Sequence, residues 1–589
     1  MTKPALGLLL LAAALPLAAR SSLQLTSGWR FQMDVSDLGE KEGWFNPSFD
    51  RHAWATVSVP KAWDLYDESM WGYEGIGWYA YTIAGADTRP GEVQRLRFDR
   101  VNYYAKVWLN GQVLGESTNG NLPFEFDISN KLLPDADNIL ILRVDNRPRD
   151  EWLPGTRRIE WVLYGGILGP VTLETLAHAF IEDVTIRAAP TAGPAAISCL
   201  VTVRNAGSRP QAVHLRLAVA GHPEVVKVTD LTLRPGSTVS PIVLLELDGA
   251  QPWSPESPTL YTLEASLGSS AGPLDATHTR FGVRKIEARG RDILLNGKKV
   301  FLRGVNRYDE LGKYGPNAPR DVVIQDLRRM KQAGVNLIRV HYPQSPDLIS
   351  LYDEMGFFMM EEINLCWWEA KDDSILKQAL PGLEGLIRRD KNHPAIIIWS
   401  MANESKTGTE TGIRVMRTLL RRAKELDPTR LATYVTDSHD VQDQRAYEEA
   451  DIVAVNVYVG QFFGDIAHHI GELETRVRKP TAAFVHAQAK AFPKKPMIIS
   501  EFGTRGIRGI HGDVDYTEEF QAAFIQSAYA GIRDNAEPAG AVLWCWADYY
   551  HRRDFVQYAV FGPYGVVTVD RQPKAALRAL ATMYGGSVE

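Results

Sequence analysis

Two segments of the chain end an apolar, β-branched run on a carboxyl group. Pro394 opens the run Ala395-Ile396-Ile397-Ile398-Trp399-Ser400, which leads to Asn403-Glu404. Pro496 opens Met497-Ile498-Ile499-Ser500, which leads to Glu501. Short runs of this kind read as fully buried strands, typical of parallel sheets covered on both faces. A carboxylate at the C-terminal end of such a strand sits where barrel enzymes carry out their chemistry. Two carboxyls in one apolar-walled cleft titrate differently, because the first negative charge raises the pKa of the second. One then stays protonated as a general acid while the other stays ionised as a nucleophile, which is what glycoside hydrolysis uses. Taken alone, Glu404 has a second, weaker reading as the cap of a helix opening near Thr409. The second segment of the same design argues against that.

The elements that must position these groups follow from the chain's grammar. At 589 residues it is too long for one core, and the usual domain size implies three or four. From residue 286 onward, strands are expected at 300–305, 335–340, 357–361, 395–400, 431–435, 452–457, 497–500 and 540–546. Amphipathic helices separate several of them. Residues 321–333 place Val323, Leu327 and Met330 on one stripe, and Gly334 follows where helices favour glycine. Eight strands in about 300 residues, each followed by a connection, match a (β/α)8 barrel. Counting along it puts Glu404 at the end of strand four and Glu501 at the end of strand seven, facing across the mouth. An open doubly wound sheet would call for a Gly-rich phosphate turn after its first strand, and Gly304-Val305-Asn306-Arg307 is not one.

Ahead of the barrel the chain is β-rich. Strands are expected at 57–60, 77–83, 105–109 and 138–144, and Asn110-Gly111 between apolar strands is a strong hairpin signal. This block reads as an antiparallel jelly-roll sandwich. A second block of short strands with Gly/Pro punctuation has the size of an immunoglobulin-like sandwich, without its paired cysteines. The expected division is a signal peptide at 1–19, a jelly roll at 20–178, an immunoglobulin-like sandwich at 179–284 and a (β/α)8 TIM barrel at 285–589. Lys3, the apolar core 6–17 and the small residues Ala18-Ala19 support the first of these, and with it an exported protein that is soluble once cleaved. The apolar stretch is shorter than a membrane span and holds Pro16.

Composition excludes several classes. A net charge of −6 with no basic block argues against nucleic acid as a partner. Cys199, Cys366 and Cys545 are too few and too scattered for a disulfide framework or a metal-ligand spacing, and read as buried apolar fillers. Fifteen tryptophans suit broad apolar faces that stack on sugar rings.

The motifs point to a family. Asn392-His393-Pro394 through Asn403-Glu404 resembles the acid/base signature of glycoside hydrolase family 2, which includes β-galactosidases, β-glucuronidases and β-mannosidases. Tyr73-Glu74-Gly75-Ile76-Gly77-Trp78-Tyr79 and Tyr164-Gly165-Gly166-Ile167 are similar to its jelly-roll segments. Leu302-Arg303-Gly304-Val305-Asn306-Arg307 and Ile338-Arg339-Val340-His341-Tyr342-Pro343 are similar to its first two barrel strands. The resemblance implies a retaining double displacement, with Glu404 as acid/base and Glu501 as nucleophile, their carboxyls about 5–5.5 Å apart. It further implies that Asn403 bonds the sugar 2-hydroxyl and that Tyr458 and Arg339 hold the charge of Glu501. His341 would contact a substrate hydroxyl, and Trp544 would form the floor under the sugar. Glu160, reaching in from the jelly roll, would bind hydroxyls and close one end, favouring removal of a single terminal sugar.

The chain also departs from the family pattern. Where magnesium-dependent β-galactosidases carry a Glu and a His after strand three, it has Cys366 and Trp368, neither a hard-cation ligand, so no metal and no cofactor are expected. The stretch Phe561-Gly562-Pro563-Tyr564-Gly565-Val566 lacks the Asn-x-Lys motif by which β-glucuronidases bind the uronate carboxylate. A neutral hexose such as galactose is therefore the first expectation and a uronide the second, with Arg505, Arg508, His551, Arg552 and Arg553 as candidates for a different carboxylate clamp. A non-catalytic carbohydrate-binding scaffold predicts erosion of the carboxyl pair, and both glutamates are present. The expected partner is a carbohydrate, and assembly with further copies of the chain is left open.

Overall fold

The computed structural model describes residues 20–588 except 88, 90, 91, 438–443, 463, 535–537, 554 and 556–560. Residues 1–19, read above as a signal peptide, lie outside the described residues. Among the described residues no helix is long and apolar enough to cross a membrane.

The first block is a jelly-roll sandwich of a four-stranded and a six-stranded antiparallel sheet, packed around Trp29, Tyr79, Phe98 and Leu140. Asn110 and Gly111, with φ of 53° and 80°, turn the hairpin between Tyr104–Leu109 and Gln112–Ser117. Both residues tolerate left-handed backbone, which such two-residue turns require. The second block is a sandwich of two antiparallel sheets, and Ile242–Leu247 alternates exposed and buried residues along one of its strands.

The third block is a closed barrel of eight parallel strands. They are β1 (Leu302–Asn306), β2 (Leu337–Arg339), β3 (Phe358–Glu362), β4 (Ile396–Asn403), β5 (Leu431–Asp437), β6 (Val453–Asn456), β7 (Met497–Glu501) and β8 (Gly540–Leu543). Helices α1 (Arg320–Gln332), α2 (Pro346–Met355), α3 (Leu376–Asp390), α4 (Glu410–Leu426), α5 (Lys479–Ala491), α6 (Glu518–Arg533) and α7 (Ala575–Tyr584) wrap it. Gly334 follows α1 at φ 85°, and a side chain there would meet the backbone of Tyr584 at 2.7 Å.

Most strand ends differ from the sequence expectation by one or two residues, and three differences stand out. The segment 300–305 is not one strand: Val300 pairs with Ile293 in a separate meander, and β1 starts at Leu302. Strand β4 runs on to Asn403, because Met401 and Ala402 are as buried as the run before them. Trp544 stands just beyond β8 rather than within it. The helix-cap alternative for Glu404 also falls away, since the hydroxyl of Thr409 accepts the Gly412 N–H at 3.0 Å and caps α4.

The first half of the signature around Glu404 proves to be a docking element. The Asn392 amide donates to the carbonyl of Val184 at 2.7 Å and accepts from the N–H of Ile186 at 2.8 Å, gripping a strand of the second sandwich. Buried Arg284 donates from the sandwich side to the carbonyls of Pro394 and Ile396, at 2.9 and 2.7 Å. Asn392→Ala should lower stability by about 1–3 kcal/mol, because two backbone groups lose their partners. Chemical denaturation of the intact chain measures this, and an unchanged midpoint would refute the docking role.

Candidate active site

Both carboxylate-bearing strands shift register where they end. The pairing of β4 with β5 slips between Ser400 and Asn403, and that of β6 with β7 slips between Val455 and Asn456. Such irregularities re-aim side chains and recur beside active sites. Glu404, the next residue after β4, has φ 44°, in the left-handed region that non-glycine residues seldom adopt. Backbone held there stores strain, and the surroundings over-determine it. Its N–H donates to the carbonyl of Val435, while Asn403 pairs with the loop after β3 through Leu365 and Trp367.

Glu404 and Glu501 line one cavity of about 650 Å³ at the barrel mouth. Asn403, His341, Tyr458 and Trp544 line it as well, and Thr156, Arg158, Glu160 and Trp161 of the jelly roll form a wall. All the residues singled out from sequence for the sugar site thus face one space, except Arg339, which lies fully buried beneath it.

Arg339 organises that space. Its Nη1 donates to Glu501 Oε1 at 2.6 Å and to Asn306 Oδ1 at 3.1 Å. Its Nη2 donates to Asn403 Oδ1 at 2.8 Å and to Glu362 Oε2 at 3.1 Å. Tyr458 donates its phenol to Glu501 Oε2 at 2.7 Å, and His341 Nε2 stands 3.3 Å from Oε1. Burial alone would raise the pKa of Glu501. The hydrogen bond from His341, the charge of Arg339 and the phenol of Tyr458 hold it below the usual carboxylate range instead.

Glu404 goes the other way. Removal from bulk water, followed by the charge of Glu501, pushes its pKa up to about 8. Hydrogen bonds from Asn456 Nδ2 at 2.8 Å and Trp367 Nε1 at 2.9 Å oppose the rise without cancelling it. Asn456 links the two carboxyl strands. Its Oδ1 accepts from the Ser500 hydroxyl at 2.8 Å, which leaves Nδ2 to donate to Glu404 and to Asn403. Glu160 accepts from the phenols of Tyr549 at 2.9 Å and Tyr308 at 3.3 Å, and burial pushes its pKa up to about 7.

Sequence reasoning missed Asn456, Trp367, Glu362 and the phenols Tyr308 and Tyr549. The signal for the first three was position: each ends a strand or follows one within a few residues. Cys366 is more than an apolar filler, since it lines the cavity and its sulfur takes the Asn403 amide at 3.6 Å. None of the candidate clamp residues lines the cavity. Arg552 grips both carboxylate oxygens of Glu74, and Arg553 donates to the carbonyl of Trp71. Arg505 lies on the rings of Tyr516 and Phe462, His551 packs between Tyr549 and Phe555, and Arg508 is exposed. Among the described residues no group of three or more His, Cys, Asp or Glu side chains is placed to hold a metal ion.

Arg339→Met should destabilise the fold by roughly 3–5 kcal/mol, because it strands two buried carboxylates without their cation. Thermal unfolding of the variant at neutral pH measures this, and near-wild-type stability would contradict it.

Comparison with known proteins agrees with this architecture. A family model described as the TIM barrel domain of glycosyl hydrolases family 2 matches residues 286–587. Models described as glycosyl hydrolases family 2 and its sugar binding domain match residues 179–284 and 23–157. The chain is 28% identical over 614 residues to a beta-glucuronidase of Sus scrofa, covering 96% of this chain and 91% of that protein. It is 26% identical over 605 residues to a beta-glucuronidase of Paenibacillus borealis, covering 96% and 97%. The crystal structure of a GH2 beta-galacturonidase from Eisenbergiella tayi bound to galacturonate superposes with a TM-score of 0.83 at 22% identity, covering 97% of this chain and 98% of that one. At that identity the likeness concerns the fold.

Proposed function

The chain belongs to glycoside hydrolase family 2 and is a glycoside hydrolase acting on a carbohydrate, and we propose that it removes a terminal β-linked uronic acid by retaining double displacement. The observation that carries the mechanism is the opposite perturbation of two carboxyls in one cavity: Glu404 keeps its proton to about pH 8, while Glu501 is ionised. Glu404 donates that proton to the glycosidic oxygen as the bond to the anomeric carbon breaks. The Glu501 carboxylate attacks the same carbon from the opposite face and forms a glycosyl ester. Glu404, now ionised, takes a proton from water, whose oxygen displaces Glu501 and restores the original anomeric configuration. Arg339, Tyr458 and His341 keep Glu501 an anion before attack and a good leaving group afterwards. Asn403, oriented by Arg339 and Asn456, gives one amide N–H to the Cys366 sulfur and keeps the other for the 2-hydroxyl. The jelly-roll wall closes one side, which supports exo action on a single residue.

The relatives named beta-glucuronidase, matched over 96% of this chain, favour a uronide over the neutral hexose first expected from the sequence. A neutral hexose is the second reading, favoured by residues 561–566, which carry neither Asn nor Lys. The amino-terminal segment supports action after export.

Glu501→Ala should abolish turnover of aryl β-glycosides, and added azide should then give an α-glycosyl azide. Near-normal hydrolysis by this variant would exclude Glu501 as nucleophile. The pH profile follows from the signs of the two shifts. The acid must be protonated, which holds below about pH 8, and the nucleophile ionised, which holds down to below the usual carboxylate pKa. On a panel of nitrophenyl β-glycosides, kcat/KM should therefore fall above about pH 8 and hold across the neutral and mildly acid range. Uronides should lead the panel, and turnover confined to neutral sugars would overturn the uronide reading.

A further inference from the structure

The uronide reading leaves the carboxylate without the partner that the Asn-x-Lys motif would supply. We propose that Arg158, carried by the jelly roll, binds the carboxylate of the terminal sugar in place of that motif. This rests on the uronide reading above and names the residue that enforces it.

The segment from Thr156 to Glu160 faces the cavity with alternate residues. Thr156, Arg158 and Glu160 line the space, whereas Arg157 and Ile159 do not. Trp161, directly after Glu160, lines it too. Ile159 turns inward and is fully buried among the aromatic side chains beside the site, which fixes the facing of its neighbours. The N–H of Arg158 donates to the Thr156 hydroxyl at 3.1 Å and holds the backbone in place. Its guanidinium, in contrast, makes no hydrogen bond or ion pair among the described residues.

The other cations near the site are spoken for. Arg339 is buried and engaged by Glu501, Glu362 and Asn403. His341 is set on Glu501. Arg552 and Arg553 are tied to Glu74 and the backbone of Trp71. Lys406 lines the cavity two residues past Glu404, on the acid/base loop, where the leaving group departs.

Arg158 belongs to the jelly-roll wall. Two residues on, Glu160 bonds the phenol of Tyr549, whose ring lies 5.8 Å from that of Trp544 at an angle of 82°. The wall therefore adjoins the sugar's floor rather than the aglycone. A planar guanidinium matches a carboxylate with two parallel N–H···O bonds, a geometry that a neutral hydroxymethyl group cannot use. Glu160 and Arg158 then divide the work of one wall: the first takes hydroxyls and the second takes the charge.

The test compares wild type, Arg158→Gln and Arg158→Lys on nitrophenyl β-glucuronide and β-galacturonide and on the matching neutral β-glucoside and β-galactoside. Arg158 is exposed, so the variants should unfold at the wild-type temperature, which calorimetry checks. Arg158→Gln should lower kcat/KM on the preferred uronide by about 100-fold, chiefly through KM, and change neutral substrates by less than about threefold. Arg158→Lys should fall between, since it keeps the charge and loses the fork. If Arg158→Gln keeps the wild-type ratio of uronide to neutral rates, the assignment is overturned while the uronide reading stands. If wild type itself turns over only neutral sugars, the uronide reading falls first, before any variant is made, and this assignment falls with it.

Discussion

The buried guanidinium of Arg339 is the interaction on which the site depends. It sits at the end of β2 with no solvent exposure, surrounded by Glu501, Glu362, Asn403 and Asn306 from four other strands. A buried cation of this kind is stable only when anions and dipoles converge on it, and those anions are stable only because it is there. The closed barrel supplies the convergence, since its strand ends meet around one centre. Once Glu501 is held as an anion by Arg339, its charge adds to burial in keeping Glu404 protonated. The division between a charged and a neutral carboxyl follows from His341, Arg339 and Tyr458 converging on one of them while burial and its neighbour's charge act on the other.

A second constraint is the frame that the sandwiches provide. The second sandwich is bolted to the start of β4 through Asn392 and Arg284, so the strand that carries Glu404 is held at its entry as well as at its mouth. The jelly roll contributes the wall from Thr156 to Trp161 and is fastened to the barrel by contacts such as Tyr164 to Glu310 at 2.7 Å and Arg552 to Glu74 at 2.8 Å. A barrel mouth alone is an open bowl. With this wall it becomes a cavity closed on one side, and the wall offers a place for specificity to vary without disturbing the carboxyl pair.

Much of the site could be read directly from residues. The count of apolar runs placed the two strand-end glutamates around a common mouth, and the family resemblance added Asn403, Tyr458 and His341 beside them. Periodicity works here because parallel barrel strands are buried on both faces and advertise themselves as continuous apolar text. It failed where pairing rather than composition sets a boundary. Val300 belongs to a meander and Leu302 to the barrel, though both are apolar and two residues apart.

The sequence by itself determined the fold class, the order of the three blocks and the carboxyl pair, because these depend on local patterns of burial and on motifs contiguous in the chain. Only the tertiary structure decided what each carboxyl experiences. Trp367 from the loop after β3 and Asn456 from the end of β6 reach Glu404, and Arg339 reaches Glu501 across 162 positions of sequence. It also decided which arginines are available. Arg552 and Arg553 look as free in the sequence as Arg158 does, yet contacts with the jelly roll occupy both. A side chain's charge is written in the chain, but whether that charge is already compensated depends on neighbours that only folding brings into reach.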